Sequence, residues 1–235
     1  MADPLHERWE GEAEAWARWV RTPGHDEWHW RLNWPAFLEL LPAPGRLTLD
    51  LGCGEGRGGV ALCERGHRVV GVDAAPTMVR LARETGAYEE VHLADAAALA
   101  LDDGAVDLVV AYMALHDIDD LPGALNEAAR VLEPDGRLCA AIVHPFASAH
   151  LGSETQTPYF EPSLYTDVVE RDGLEMAFHG IHRPLEDYMA ALLDAGLTLE
   201  RLREPAPTAE HIAAFGDLAK ASGRPAFLHF LARRS

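Results

Sequence analysis

The stretch Leu47-Thr48-Leu49-Asp50-Leu51-Gly52-Cys53-Gly54-Glu55-Gly56 decides the fold. A short apolar run feeding a cluster of glycines reads as a buried β-strand that enters a tight turn ahead of a helix, where missing side chains let a ligand approach the backbone. By itself the turn says only that a nucleotide-like ligand fits. A shifted register, Gly54-Glu55-Gly56-Arg57-Gly58-Gly59, satisfies the G-x-G-x-x-G dinucleotide pattern, so the glycines alone do not choose the ligand.

Three aspartates narrow the choice. Asp73 closes the next β-branched run 21 residues after Gly52, where a carboxylate can accept both hydroxyls of a ribose. Asp95 closes a third run, placed for the amino group of an adenine. Asp50 interrupts an apolar strand, and a buried carboxylate needs a hydrogen-bonded or cationic partner. The ammonium group of S-adenosylmethionine supplies one, reached through water, whereas the pyrophosphate of a dinucleotide would be repelled.

Outward from this turn, short β-branched runs alternate with amphipathic helices, the pattern of a parallel α/β sheet. The runs are 46–51, 68–72, 90–93, 106–112 and 137–143; helical patterns fill 57–65, 76–85 and 121–132, with a weak one at 96–100. Before them, residues 5–21 and 31–41 read as helices, and all six tryptophans fall within the first 34 residues. After Val143 the rhythm breaks for about 40 residues, a length that implies a functional segment in a compact domain. Within it, 163–171 and 174–181 flank Asp172-Gly173, a hairpin-turn signal. A helix at 184–195, a strand at 197–203, a helix at 208–221 and a strand at 226–232 complete the chain. The expected organisation is a single domain, 1–235: an N-terminal helical lid (1–45), a cofactor-binding core (46–143), a β-hairpin flap inserted after the fifth strand (144–183) and the rest of the core (184–235).

The ordered segments Leu49–Gly56, Gly71-Val72-Asp73-Ala74-Ala75-Pro76-Thr77-Met78, Ala94-Asp95-Ala96, Asp107–His116 and Ala129–Leu138 resemble the motifs of class I S-adenosylmethionine-dependent methyltransferases over about residues 46–145. The resemblance implies a Rossmann-like, seven-stranded, mostly parallel sheet with its last strand antiparallel and helices on both faces. It also implies cofactor contacts from Asp50, Gly52, Cys53, Gly54 and Gly56. Asp73 would serve the ribose, Ala74 and Met78 the adenine, Asp95 and Ala96 the adenine edge, and Ala111 and Tyr112 the methionine portion. Two positions depart from the family: Asp135 stands where a second glycine is frequent, and Ala75 replaces a frequent serine, removing a helix cap that Asp73 could partly supply. His144-Pro145-Phe146 and His182-Arg183-Pro184-Leu185 are similar to a bacterial small-molecule branch of these enzymes, whose acceptors are diverse.

Composition bounds the partners. Twenty basic residues against 38 acidic ones give a net charge of −18, which repels a phosphate backbone and disfavours nucleic acid. No apolar run is long enough for a membrane span and residues 1–7 lack a charged-then-apolar leader pattern, so a cytoplasmic protein is expected. The three cysteines have no CxxC spacing. Ala111 stands where metal-dependent catechol-type relatives carry a carboxylate, and no metal is expected; a His25/His29 pair lacks a third ligand, and His116–Asp120 reads as a solvated helix entry.

Histidine suits proton removal near neutral pH. His144, directly after the fifth strand, is the first candidate base; His116, after the fourth, is the rival that could orient the acceptor. Trp28, Tyr159, Tyr165 and His182 are candidate acceptor contacts. The expected activity is methyl transfer to a small molecule. The alternatives are a non-catalytic S-adenosylmethionine-binding protein and a nicotinamide-dependent oxidoreductase, the latter opposed by Asp50 and by the lack of a Tyr-x-x-x-Lys pair.

Overall fold

The computed structural model describes residues 3–151 and 158–235; positions 152–157, inside the expected flap, lie outside the described residues. Seven strands form one sheet: β1 (Thr48–Leu51), β2 (Val69–Asp73), β3 (Glu90–Leu93), β4 (Val106–Tyr112), β5 (Leu132–Val143), β8 (Leu197–Arg203) and β9 (Phe227–Arg234), in the order β3-β2-β1-β4-β5-β9-β8. β9 runs antiparallel to both its neighbours, and the pairings among β1 to β5 are parallel. The fold class read from the sequence is therefore the one observed.

Every residue of β1 is buried, because parallel central strands are covered on both faces and so read as continuous apolar runs. Leu49, Leu51, Val109 and Ala111 pack on α5 (Leu121–Val131) and α7 (Leu185–Asp194); Leu108, Val110 and Cys139 pack the other way, on Trp34, Phe37 and Leu62. The strand order reverses between β1 and β4. That switch point leaves a crevice beyond the strands' carboxyl ends, where open α/β sheets bind ligands.

α1 (Leu5–Arg21) crosses this end of the molecule and packs on the separate hairpin of β6 (Ser163–Arg171) and β7 (Leu174–His182). Asp172 and Gly173 both have positive φ, 51° and 74°, as a two-residue turn matching the strand twist requires.

Local differences from the sequence reading have identifiable causes. Residues 96–100 form a turn, in which Asp95 Oδ1 accepts the Ala97 N–H at 2.8 Å. The helix expected at 31–41 is a π-helical turn (His29–Asn33) followed by α2 (Trp34–Leu38), since Pro35 has no N–H to continue the α-helical ladder. The helix expected at 208–221 breaks at the extended Phe215 into α8 (Ala209–Ala214) and a 3₁₀ segment (Gly216–Ala221). The remaining helices are α3 (Arg57–Cys63), α4 (Pro76–Glu84) and α6 (Pro145–Ser148).

Candidate active site

A cavity of about 800 Å³ lies over the switch point. Its floor is the glycine turn. Gly52 has φ +71°, and a Cβ there would stand 2.5 Å from the Cβ of Ala114, which follows β4; only glycine lets the two strand ends approach. Asp73 fixes the turn from the neighbouring strand: Gly54 N–H donates to its Oδ2 and Ala75 N–H to its Oδ1, each at 2.9 Å. The cap that Ala75 lacks comes from α1, where Glu10 Oε2 accepts Thr77 N–H at 2.9 Å, and not from Asp73. Asp50 lies beneath, accepting the Tyr88 hydroxyl at 2.7 Å, and that hydroxyl accepts Gly59 N–H at 3.1 Å.

This floor is short of positive charge. Burial pushes the Asp50 carboxyl up to about 7, the Tyr88 bond opposes that rise, and the charges of Asp73 and Glu55 add to it. Glu55 Oε2 accepts Trp16 Nε1 at 2.7 Å, while Oε1 is buried with no hydrogen-bond partner. The nearby cation is Arg57, whose Nε stands 3.5 Å from Glu55 but whose Nη1 is committed to Asp26 at 2.5 Å. Arg57 also lies 4.9 Å over the Trp16 ring.

The roof comes from α1, the loop after it and the hairpin. Trp9 packs edge-on to His179, and Trp16 and Trp19 to Phe178. Arg171 joins the pieces, donating from Nη1 to the carbonyls of Gly24 and His25 at 2.7 Å each. His29 Nδ1 pairs with the Tyr112 hydroxyl at 2.9 Å, and Trp28 packs on Phe227 at 6.1 Å.

Comparison with known proteins places this geometry. Residues 49–140 match the methyltransferase domain family. Over that segment the chain is similar to class I methyltransferases. An uncharacterized methyltransferase of Mycobacterium tuberculosis is 43% identical over 99 residues, 42% of this chain and 40% of that protein, so the chain matches well under half of such a relative's length. An S-adenosylmethionine-dependent methyltransferase from Mesorhizobium loti superposes with a TM-score of 0.66 at 27% identity, covering 86% of this chain and 97% of the other. A structure from Listeria monocytogenes described as a putative enzyme of the same kind gives 0.70 at 22%, covering 86% and 96%. The matched segment carries the glycine turn and the ends of β1 to β4; the roof lies outside it.

Most of the residues singled out from the sequence meet in the cavity. Asp50, Gly52, Cys53, Gly54, Asp73 and Ala74 line its floor, Met78, Asp95 and Ala96 one wall, and Tyr112, Trp28, Tyr165 and His116 belong to the rest of the lining. Five do not reach it. Gly56 (φ +94°) caps α3 behind the turn, and Ala111 is fully buried in the sheet core, its expected place being taken by Met113 and Ala114. His182 bonds Ser148 Oγ at 2.7 Å and the Tyr159 carbonyl at 2.9 Å, and Tyr159 accepts Leu185 N–H on its hydroxyl; both hold the base of the hairpin.

His144 is the fifth correction. Phe146 N–H donates to its Nδ1 at 3.0 Å, so Nε2 carries the proton and donates to Glu204 at 2.9 Å. Its only lone pair is occupied, and it caps α6 instead of facing the cavity. His116 does line it. This histidine is buried beside Asp117, at 3.5 Å, with Nδ1 unpartnered; burial, then the charge of Arg183, lowers its pKa to about 3. The 116–120 segment is thus buried at its start, and solvated only from Asp119, which accepts Leu5 N–H.

Sequence reading missed Trp16, Glu55, Arg57, His29 and Met113, all of which line the cavity. Met113 is one of three non-glycine residues at positive φ among the described residues, at +56°, a strained position at the end of β4 that no pattern announces. His25 and His29 do not form a pair: the first bonds the Arg171 carbonyl, the second Tyr112.

Proposed function

We propose that the chain binds S-adenosylmethionine on the floor of this cavity and transfers its methyl group to a small-molecule acceptor held under the aromatic roof. The observation that carries the reading is the acidic floor: Asp50, Asp73 and Glu55 surround the glycine turn with Arg57, 3.5 Å from Glu55 Oε1, as the nearby cation, and a cationic ligand relieves the carboxylates' mutual repulsion. A dinucleotide would add negative charge to the same place. Asp73 retains free lone pairs beyond its two backbone bonds, enough for a ribose diol. Asp95 is exposed to the cavity for an adenine amino group.

The cofactor supplies an electrophilic methyl on a sulfonium. The chain's work is alignment and exclusion of water, which together account for much of the rate of such a displacement. The aromatic roof of Trp9, Trp16 and Trp19 covers part of the site and narrows its access to solvent. His116 and the Tyr112–His29 pair face the acceptor side. Burial lowers His29 to about 2, helped by Arg57, and raises the Tyr112 hydroxyl, so both remain neutral and orient the acceptor by hydrogen bonding rather than by charge. The acceptor's lone pair would take the methyl while the carbon–sulfur bonding pair stays on the sulfur; since His29, His116 and Tyr112 stay neutral, any surplus proton on the product would pass to water on release. A net charge of −18 and a half-open cavity of this size suit a metabolite better than a nucleic acid.

Incubating the full chain with methyl-labelled cofactor and fractionated metabolite extract tests the reading. Label in a small-molecule product is expected. Cofactor binding without transfer in any fraction would leave a binding protein, and tight binding of a nicotinamide dinucleotide would remove the cofactor assignment.

A further inference from the structure

The cavity is electrically lopsided. Around the glycine turn it carries Asp50, Glu55, Asp73 and Asp95 against Arg57 alone. Beyond β5, where the chain enters β9, it carries Arg171, Lys220 and Arg224. Asp217, also in the lining, pairs with two of these cations, 3.3 Å from Lys220 Nζ and 3.9 Å from Arg171 Nη2. Acidic residues outnumber basic ones almost two to one in the chain as a whole, and Lys220 is its sole lysine, so this end inverts the overall balance.

Arg171 is held in place by its two carbonyl bonds, whereas Lys220, in an exposed pair with Asp217, and the exposed Arg224 are long side chains within reach of a ligand. Between the two ends lies an apolar shelf. Trp28 packs against Phe227, and Val143 and Ala226 continue the lining. A field of this kind, bounded by apolar walls, orients a ligand as well as attracting it.

We infer that the acceptor carries an anionic group, a carboxylate or a phosphate, which Lys220 and Arg224 hold while its apolar body lies along Trp28 and Phe227. The inference rests on the methyltransferase reading and adds the substrate class. The acidic floor repels the anion and the basic end draws it, so the molecule enters in one orientation, with its nucleophilic atom toward β4 and the methyl donor.

The test is calorimetry on the full chain. S-adenosylhomocysteine binding is measured first; its failure overturns the methyltransferase reading itself. The chain saturated with S-adenosylhomocysteine is then titrated with 4-phenylbutyrate, 4-phenylbutyl phosphate, 4-phenylbutyramide and 4-phenylbutylamine. One or both anions are expected to bind about tenfold tighter than the amide at low salt, as one charge-assisted hydrogen bond warrants, and which of them leads separates the two sources. The advantage should shrink in high salt and vanish in the Lys220→Gln/Arg224→Gln double variant, while Lys220→Arg keeps it. Bound S-adenosylhomocysteine with no preference for either anion, including no binding of any probe, overturns the inference alone. So does a preference that survives the double variant.

Discussion

The two ends of the cavity are built in different ways. The floor is assembled from contiguous motifs: the glycine turn follows β1, Asp73 ends β2, Asp95 follows β3, and each carboxylate caps or braces backbone close to it. The roof is assembled from pieces far apart in sequence. Trp16 reaches Glu55 39 positions away, His29 reaches Tyr112 83 away, and Arg171 reaches His25 146 away. A floor fixed by short-range geometry keeps one chemistry; a roof fixed by long-range packing can change its residues and admit a different acceptor. The matched family segment, 49–140, covers the first and stops short of the second.

The largest expected effect breaks the floor. Asp73→Ala removes two backbone bonds and the proposed ribose contact, and should weaken S-adenosylmethionine binding by about 1.5 to 3 kcal/mol, roughly 10- to 150-fold. Calorimetry on the folded variant reads this directly. Unchanged affinity would take Asp73 out of the binding site and leave it a purely structural brace.

Breaking the roof should spare the floor. Arg171→Ala loses both carbonyl bonds and the stacking over Trp19 and Phe215, at 6.0 and 5.3 Å. A loss of about 2 kcal/mol is expected, or about 4 to 8 °C in Tm for a chain of this length. Hydrogen exchange should rise in 19–28 and 163–182 while cofactor affinity stays near wild type. If affinity falls as far as in Asp73→Ala, the two ends are one cooperative unit and the contrast between them fails.

Proton linkage sharpens the comparison. The Asp50 carboxyl, raised to about 7, holds its proton more tightly folded than unfolded. Its contribution therefore favours the ligand-free fold at low pH and is lost as pH rises from about 4 through 7. A cationic ligand reverses this by favouring the carboxylate. Cofactor affinity should fall as pH drops below about 7, by up to about tenfold per unit, and the cofactor-induced gain in Tm should be larger at pH 8 than at pH 6. Asp50→Asn should flatten both profiles. A flat wild-type profile would mean that Asp50 keeps its proton with the cofactor bound.

What was legible follows the same division. The strand runs and the hairpin at Asp172-Gly173 could be read because β-branched runs and turn residues are local signals, and the seven-stranded sheet with its antiparallel last strand followed from the resemblance that the glycine turn and terminal aspartates carry. The cavity side of Trp28 and Tyr165 could be guessed from their place in aromatic segments. Glu55 and Arg57 were hidden because they occupy variable positions inside a glycine motif, and their partners Trp16 and Asp26 are distant in sequence. His29 was hidden behind its spacing to His25. Tyr159 and His182 look like site residues by type, yet each spends its polar atoms on the hairpin base.

The smallest expected effect belongs to His144, the residue that sequence position favoured most. A general base contributes about 10²- to 10⁴-fold, and its loss would be plain in turnover. The observed ring has no lone pair to offer, since Nδ1 accepts the Phe146 amide and Nε2 donates to Glu204. Burial lowers its pKa and the carboxylate opposes that, so the neutral tautomer is the one that suits both bonds. His144→Ala should then cost about 1 kcal/mol of stability through the lost cap of α6, with cofactor affinity unchanged and turnover on the acceptor found by labelling within severalfold of wild type. His116→Ala and Tyr112→Phe should lower turnover more, because they remove polar groups that face the acceptor side. A hundredfold loss in His144→Ala, with the fold intact, would require α6 to move and release the ring into the cavity. The acceptor end would then rearrange on binding, in contrast to a floor already formed.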